Sequence, residues 1–321
     1  MRVAVIISSL LGWPLLQDLL SQGAVAGVAM PASTREEDGQ LAGLLAQAGV
    51  VPRTLARAGL GSALAEWVAA TRADAVLVLT FPWRIPAAVL GLPPQGFINF
   101  HFAALPGYRG PEPTFWQIRN GEPAGAVTAH RMAEGFDTGP VLLATPVPIS
   151  PGDTHGLHRG QLALAAIGTG RQLLAGLRGE IPLPEQPQDE TAARYWPRAG
   201  LADVCIAWQA SAEDIGRLVR AANPWNRGAL ATLRGQALRV LVATPRPETV
   251  AAAPGTVVLA APGQALLVAC GESQVVQLDV LALDEGYFTG GQLAGMGVQV
   301  GEVLGEMPTS VLAAPDVPML A

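Results

Sequence analysis

Lysine is missing altogether: all 20 basic residues of the chain are arginine, and they occur as scattered singles rather than as a run. A firm grip on a nucleic-acid backbone needs a concentrated basic face. Together with a formal net charge of −6, this sets DNA aside as a partner and counts against tRNA. The absence itself carries no chemistry and reads as the codon bias of a GC-rich genome.

Cysteine is nearly as scarce. Cys205 and Cys270 lie far apart, each in an apolar run, which suits buried, reduced thiols in a cytoplasmic protein better than a disulfide or a reactive thiol. Charged residues make up only 14% of the chain. Even so, no stretch of about twenty apolar residues escapes Pro, Gly or charge, so no membrane span is expected. Metal ligands are short too: His155-x-x-His158 has no third His, Cys or carboxylate at a recognised spacing, and it follows Ser150-Pro-Gly-Asp-Thr154, a helix-start pattern. The expectation is a site without metal. A dinucleotide fingerprint is also lacking, because the turn after the first strand reads Ser8-Ser9-Leu10-Leu11-Gly12-Trp13-Pro14 and offers no glycine-rich phosphate cradle.

What is present is material for burial. Half of the 321 residues are hydrophobic, enough for two domains. Arg2, the uncharged run to Gln17 and then Ala24-Val25-Ala26 imitate a secretory leader. The same segment reads better as β-α-β: Val3–Ile7 is a short β-branched run, Pro14 precedes a helix-like Leu15–Leu20, and Val25–Met30 is again strand-like. Further buried-strand patterns fall at Ala75–Leu79 and Gly96–Phe100, alternating with helix-like Gly39–Ala48 and Leu60–Thr71. The expected fold class is therefore α/β, a Rossmann-like, mostly parallel sheet flanked by helices.

Composition changes between Glu180 and Ala202, with Pro182, Pro184 and Pro187 among mixed polar residues. The expected division is a catalytic domain over 1–182, a linker over 183–201, a smaller β-rich, barrel-like domain over 202–307 and a tail over 308–321. In the smaller domain a strand is expected at Val204–Trp208 and a helix from an N-cap at Ser211 to about Ala222. Strands then follow at Gly228–Leu233, Leu238–Ala243, Gly255–Ala260, Ala265–Cys270 and Val275–Val280. Trp208 and Trp225 read as packing residues rather than a base-stacking platform, and Tyr195-Trp196-Pro197 as a pin for the linker.

Chemistry concentrates at the end of the Gly96–Phe100 strand. Alternation sends Asn99 and His101 to the same side, and in open α/β sheets ligands bind outside the carboxyl ends of the strands. An amide and an imidazole so placed can hold an oxyanion and carry a proton. Downstream, Glu134-Gly135-Phe136-Asp137-Thr138-Gly139 sets a carboxylate between glycines. Each segment alone is equally compatible with satisfied structural polars or an ordinary turn.

Taken together, Asn99-x-His101, Leu105-Pro-Gly-Tyr-Arg-Gly110, Asn120-Gly-Glu122 and Gly135-x-Asp-Thr-Gly139 resemble the formyltransferase family that includes the methionyl-tRNA, glycinamide ribonucleotide and sugar-amine enzymes. The loop Phe81–Pro86 and the distal Ile206-Ala-Trp208, Arg220-Ala-Ala-Asn-Pro224 and Pro254-Gly-Thr-Val257 are similar to its landmarks, including an OB-like carboxy-terminal domain. The resemblance implies a formyl donor, 10-formyltetrahydrofolate, and Asn99, His101 and Asp137 as catalytic residues. It implies a folate site at Phe81, Trp83, Arg84, Ile85, Gly135, Phe136, Thr138 and Gly139, and acceptor contacts at Ala103, Ala104, Tyr108 and Arg109.

Two departures bear on the acceptor. Ala103-Ala104-Leu105-Pro106 stands where the family commonly has Ser-Leu-Leu-Pro, removing a hydroxyl. Met30-Pro-Ala-Ser-Thr-Arg-Glu-Glu-Asp38 is short and acidic where initiator-tRNA enzymes carry a basic insertion. An amino sugar on a nucleotide carrier, or a carrier-bound amino acid, is therefore the favoured acceptor. Methionyl-tRNA formylation, 10-formyltetrahydrofolate hydrolysis and folate binding without turnover are the alternatives.

Overall fold

The structure is a computed structural model that describes residues 1–32, 36–224 and 226–307. Trp225 and the tail from residue 308 lie outside the described residues. The chain divides into two compact units, the first formed by residues 1–113, 123–149 and 158–197 and the second by residues 114–122, 150–157 and those from 198 onward. The expected linker thus falls largely within the first unit, up to Pro197.

The first unit opens with β1 (Val3–Ile7), α1 (Trp13–Ser21), β2 (Val25–Pro31), α2 (Glu36–Gln47) and β3 (Arg53–Leu55). It continues through α3 (Leu60–Thr71), β4 (Ala75–Leu79), α4 (Ala87–Leu90) and β5 (Phe97–His101). After α5 (Pro113–Arg119), which belongs mainly to the second unit, come β6 (Ala124–Arg131), β7 (Val141–Pro148) and α6 (His155–Leu177). The seven strands form one sheet in the order β3-β2-β1-β4-β5-β6-β7, parallel through β5 and antiparallel from β6.

Period-two side-chain alternation gives this sheet two dry faces. Val3, Val5 and Ile7 of β1 pack with Leu15, Leu16 and Leu19 of α1 and with Leu162, Ala166 and Leu173 of α6. Ala4 and Ile6 point the other way, toward Leu60, Leu64, Trp67 and Val68 of α3. Neither β6 nor β7 announces itself in the sequence: β6 reads Ala-Gly-Ala-Val-Thr-Ala-His-Arg, poor in β-branched residues, and β7 contains Pro146 and Pro148. Proline is tolerated there because β7 is the edge of the sheet, where an N–H is not needed on the outer side.

The second unit holds α7 (Ala212–Ala222), β8 (Ala229–Leu233), β9 (Gln236–Thr249) and β10 (Val257–Ala261), then β11 (Ala265–Ala269), β12 (Gln274–Leu283), β13 (Gly286–Thr289) and α8 (Gly290–Gly295). Ser211 caps α7 as its spacing predicts, accepting from Asp214 N at 3.1 Å, an interaction worth about 1 kcal/mol. The sheet order is β10-β11-β12-β9-β8. Residues 302–305 then bond to both edges: Val257 N donates to Glu302 O, Leu304 N to Gly255 O, and Thr232 and Gly305 exchange a pair of bonds. A single segment therefore bridges the start of β10 to the middle of β8. The strand expected at Val204–Trp208 is not one. Residues 202–204 make a short 3-10 turn and only Cys205 bridges to Leu230. Val204, Ile206 and Trp208 are nonetheless all buried, which is why the stretch imitates a strand in sequence.

No helix among the described residues is long and apolar enough to cross a membrane.

Candidate active site

The parallel strands β1, β4 and β5 end on one side of the first unit, and the candidate site stands at the end of β5. Asn99 and His101 extend from that strand, as alternation requires. Asp137 reaches them from the loop after β6. It is held at φ +55°, in the left-handed region that Asp tolerates better than most residues. Its Oδ2 accepts from Gly110 N at 3.0 Å. Its Oδ1 lies 3.6 Å from His101 Nδ1 and 3.4 Å from Asn99 Nδ2. The three residues singled out from the sequence thus meet around one carboxylate oxygen.

A fourth side chain meets them that sequence reasoning passed over. His130 on β6 sits directly opposite Asn99 on β5, with Nε2 3.1 Å from Asn99 Nδ2 and 3.6 Å from Asp137 Oδ1. The sequence signal is slight, a single histidine seven residues before Asp137.

The partners at each ring nitrogen constrain the protons. Tyr108 O lies 2.6 Å from His101 Nε2, and a carbonyl can only accept, so Nε2 carries a proton and Nδ1 faces Asp137. Burial alone pushes the Asp137 carboxyl up. The His101 charge, the neighbouring His130 ring and the Gly110 N–H outweigh it and hold the carboxyl well below the usual carboxylate range. Asp137 is therefore an anion at neutral pH, with its side chain 13% exposed.

Asn99, His130 and Asp137 form one wall of a cleft of about 490 Å³. The remainder is Val78, the loop residues Phe81, Trp83, Arg84 and Ile85, and the stretch Met132–Phe136. Phe81 and Trp83 meet edge to face at 5.4 Å, and Phe136 is 52% exposed on the rim. Apolar walls with a few converging polar groups suit a flat heteroaromatic ligand. Arg84 ties the two loops together, donating from Nε to Glu134 O at 2.8 Å.

Several other residues expected to touch ligands also bond within the protein. Thr138 Oγ1 donates to Gly135 O at 3.1 Å, and Gly139 packs so close to Arg131 O that a Cβ could not be added. Both shape the loop rather than line the cleft. Ala103 is fully buried, and its carbonyl accepts from Thr128. Ala104 is exposed. Arg109 is 7% exposed, and its guanidinium is taken up by Gln188 and Glu190. Gln188, another residue unmarked in the sequence, donates to both Asp137 O and Gly139 O at 2.7 Å. Tyr108 stacks on Trp196 at 5.7 Å, and Trp196 Nε1 donates to Gly107 O. The segment 186–196 is in this way strapped across the two loops of the site. Among the described residues no three His, Cys, Asp or Glu side chains gather as a metal-ligand set.

Fold and site together define an α/β protein with an amide, two imidazoles and a buried carboxylate converging beside an apolar cleft at the strand ends. The chain belongs to the formyl transferase family. The formyl transferase model matches residues 17–163, and the model of the formyl transferase C-terminal domain matches residues 201–288. A methionyl-tRNA formyltransferase of Gluconobacter oxydans is 39% identical over 211 residues, covering 65% of this chain and 67% of that protein. One of Aromatoleum aromaticum is 36% identical over 181 residues, 56% of each chain. The chain thus spans little more than half the length of the second relative. The crystal structure of an N-formyltransferase from Helicobacter canadensis in complex with folinic acid and dTDP-3-aminofucose superimposes with a TM-score of 0.66, at 14% identity, over 87% of this chain and 98% of that one. That likeness is one of fold.

Proposed function

We propose that the protein transfers the formyl group of 10-formyltetrahydrofolate to a primary amine, with Asn99, His101 and Asp137 as catalytic residues. The observation that carries this reading is the convergence of Asn99, His101 and the buried Asp137 anion beside the apolar cleft. Membership of the formyl transferase family supports the reaction class.

In this scheme the pterin lies between the Phe81–Ile85 loop and the backbone of 133–137. The uncharged amine attacks the formyl carbon, and the carbonyl electron pair moves onto oxygen, where Asn99 Nδ2 and His101 stabilise it. Collapse of the tetrahedral intermediate breaks the bond to the folate nitrogen, which leaves with the proton shed by the amine. Asp137 binds protons too weakly to keep one, so it serves as a fixed anion that steadies a protonated His101 and the positive charge growing on the attacking nitrogen. Holding both reactants in one cleft contributes much of the rate in such a scheme, with no metal required.

As acceptor, methionyl-tRNA is supported by the curated relatives, ahead of the amino sugar that the charge pattern favoured. A small amine is the second reading, favoured by the acidic first turn of α2, Glu36, Glu37 and Asp38, and by the net charge of −6. The test is release of tetrahydrofolate from 10-formyltetrahydrofolate with charged initiator tRNA, nucleotide-linked amino sugars and carrier-bound amino acids in turn. Turnover with one class assigns the acceptor. Formate released with no amine present makes the protein a hydrolase, and tight folate binding with no turnover anywhere defeats the catalytic reading.

A further inference from the structure

His130 is the buried titratable group that the scheme above leaves unused, and its surroundings are unusually restrictive. The ring is 2% exposed. Nδ1 lies 2.8 Å from Arg131 O, and since a carbonyl can only accept, that nitrogen must donate. In the neutral ring Nε2 then has a lone pair and no hydrogen. Opposite it at 3.1 Å stands Asn99 Nδ2, a group that can only donate. The two contacts are mutually consistent for one tautomer, Nδ1–H, and for one orientation of the Asn99 amide.

That orientation has a chemical consequence. A carboxamide has two nearly isosteric ends, one that donates and one that accepts, and turning it over exchanges them. Turned over, Asn99 would present a carbonyl oxygen to the developing oxyanion and repel it. With one Nδ2 hydrogen spent on His130, the other is left on the side of Asp137, which lines the cleft together with Asn99. Its resident partner, Asp137 Oδ1 at 3.4 Å, is beyond the usual range for such a bond, so this hydrogen is available to an incoming carbonyl oxygen.

We infer that His130 is a positioning residue: by accepting from Asn99 it fixes the carboxamide with its N–H, not its oxygen, toward the reacting formyl group. The inference rests on the proposed formyl transfer for its kinetic part alone. The cross-strand pairing of Asn99 and His130 gives the bond a rigid base on two adjacent strands, which a loop residue would lack.

Two substitutions separate positioning from packing. His130→Gln places an amide oxygen near the position of Nε2 and keeps an acceptor for Asn99, whereas His130→Leu fills the space with none. His130→Leu should lower kcat by about tenfold or more, a fraction of the loss on removing an oxyanion donor outright, with KM for the folate donor unchanged. His130→Gln should recover most of that loss. In an Asn99→Ala background His130→Leu should have almost no further effect, because residues acting through one another are not additive. Equal losses in both backgrounds, or a Gln variant no better than the Leu variant, overturn the inference.

A readout independent of turnover is the Asn99 side-chain amide in 15N–1H spectra of the full chain. Its protons should shift and exchange faster with solvent in His130→Leu and stay near wild type in His130→Gln. Identical Asn99 amide signals in wild type and His130→Leu overturn the pairing even if the enzyme is active. If wild type transfers no formyl group while the amide responds as described, the pairing stands and it is the proposed reaction that fails.

Discussion

Asp137 Oδ1 stands 3.6 Å from His101 Nδ1, and the carboxylate stays ionised in spite of its burial. In the unfolded chain this carboxyl takes up its proton near 3.8, and in the folded protein only at lower pH. A group depressed in this sense stabilises the fold fully above its unfolded value. That contribution is lost as pH falls through the folded one. The stability difference between wild type and Asp137→Asn, measured by urea unfolding, should therefore be constant from about pH 7 to about pH 5 and change against the wild type below about pH 4. A difference that is flat down to about pH 2 would contradict the assigned electrostatics.

Turnover should respond to the same cluster. Asn99→Ala and His101→Ala are each expected to cut kcat by on the order of a hundredfold, the usual effect of losing one group that stabilises an oxyanion. Folding, checked by circular dichroism and thermal melting, should be retained, because neither side chain belongs to a hydrophobic cluster of the sheet. Wild-type rates in either variant would remove that residue from the mechanism.

The strap across the site makes a different prediction. Gln188 donates to Asp137 O and Gly139 O, holding a loop in which Asp137 has a positive φ. Gln188→Ala leaves two carbonyls without that donor and should cost about 1–3 kcal/mol of stability in urea unfolding. It should also lower kcat, since a residue in a sparsely populated backbone region keeps its place only when its surroundings enforce it. Unchanged kcat would show that the loop holds its shape without the strap.

Much of this arrangement could be read from the sequence, and the exceptions have physical causes. Strands β1 and β4 and helix α3 were anticipated residue for residue, because short apolar β-branched runs and a 3.6-residue period are unambiguous when both sheet faces are dry. The Ser211 cap did the same for α7. Strand β6 stayed hidden because Ala and Gly dominate it, and with it went His130, whose role depends on cross-strand pairing with Asn99 that no local pattern reveals. Strand β9 was read too short, since Pro245 and Pro247 interrupt its pattern. Gln188 was illegible for a further reason: its function is to bond backbone carbonyls some fifty residues away, and any polar residue in a proline-rich segment looks alike in sequence.

Phe136 supplies the test of the cleft as the proposed folate site. It is 52% exposed beside Asp137, at the rim of a pocket whose apolar lining includes Phe81, Trp83 and Ile85. An apolar ring so exposed gains by being covered. Phe136→Ala should raise KM for 10-formyltetrahydrofolate by on the order of tenfold, the equivalent of about 1.4 kcal/mol, with kcat little changed. A fall in kcat at unchanged KM would mean that the ring positions the loop rather than binds the donor.

The two cysteines should be spectators. Burial pushes both thiols up, Cys270 to about 11, and nearby carboxylates push the same way, Glu272 on Cys270 and Glu306 and Asp203 on Cys205. A thiol that is almost wholly protonated at neutral pH is a poor nucleophile. Cys205 Sγ is further engaged in a bond to Leu201 O at 3.2 Å. Iodoacetamide at pH 7.5 should therefore label the native protein slowly and leave turnover intact, and Cys205→Ser and Cys270→Ser should change stability at most. Rapid loss of activity on alkylation, prevented by either substitution, would place a reactive thiol in the mechanism and require the amide, imidazole and carboxylate scheme to be rewritten.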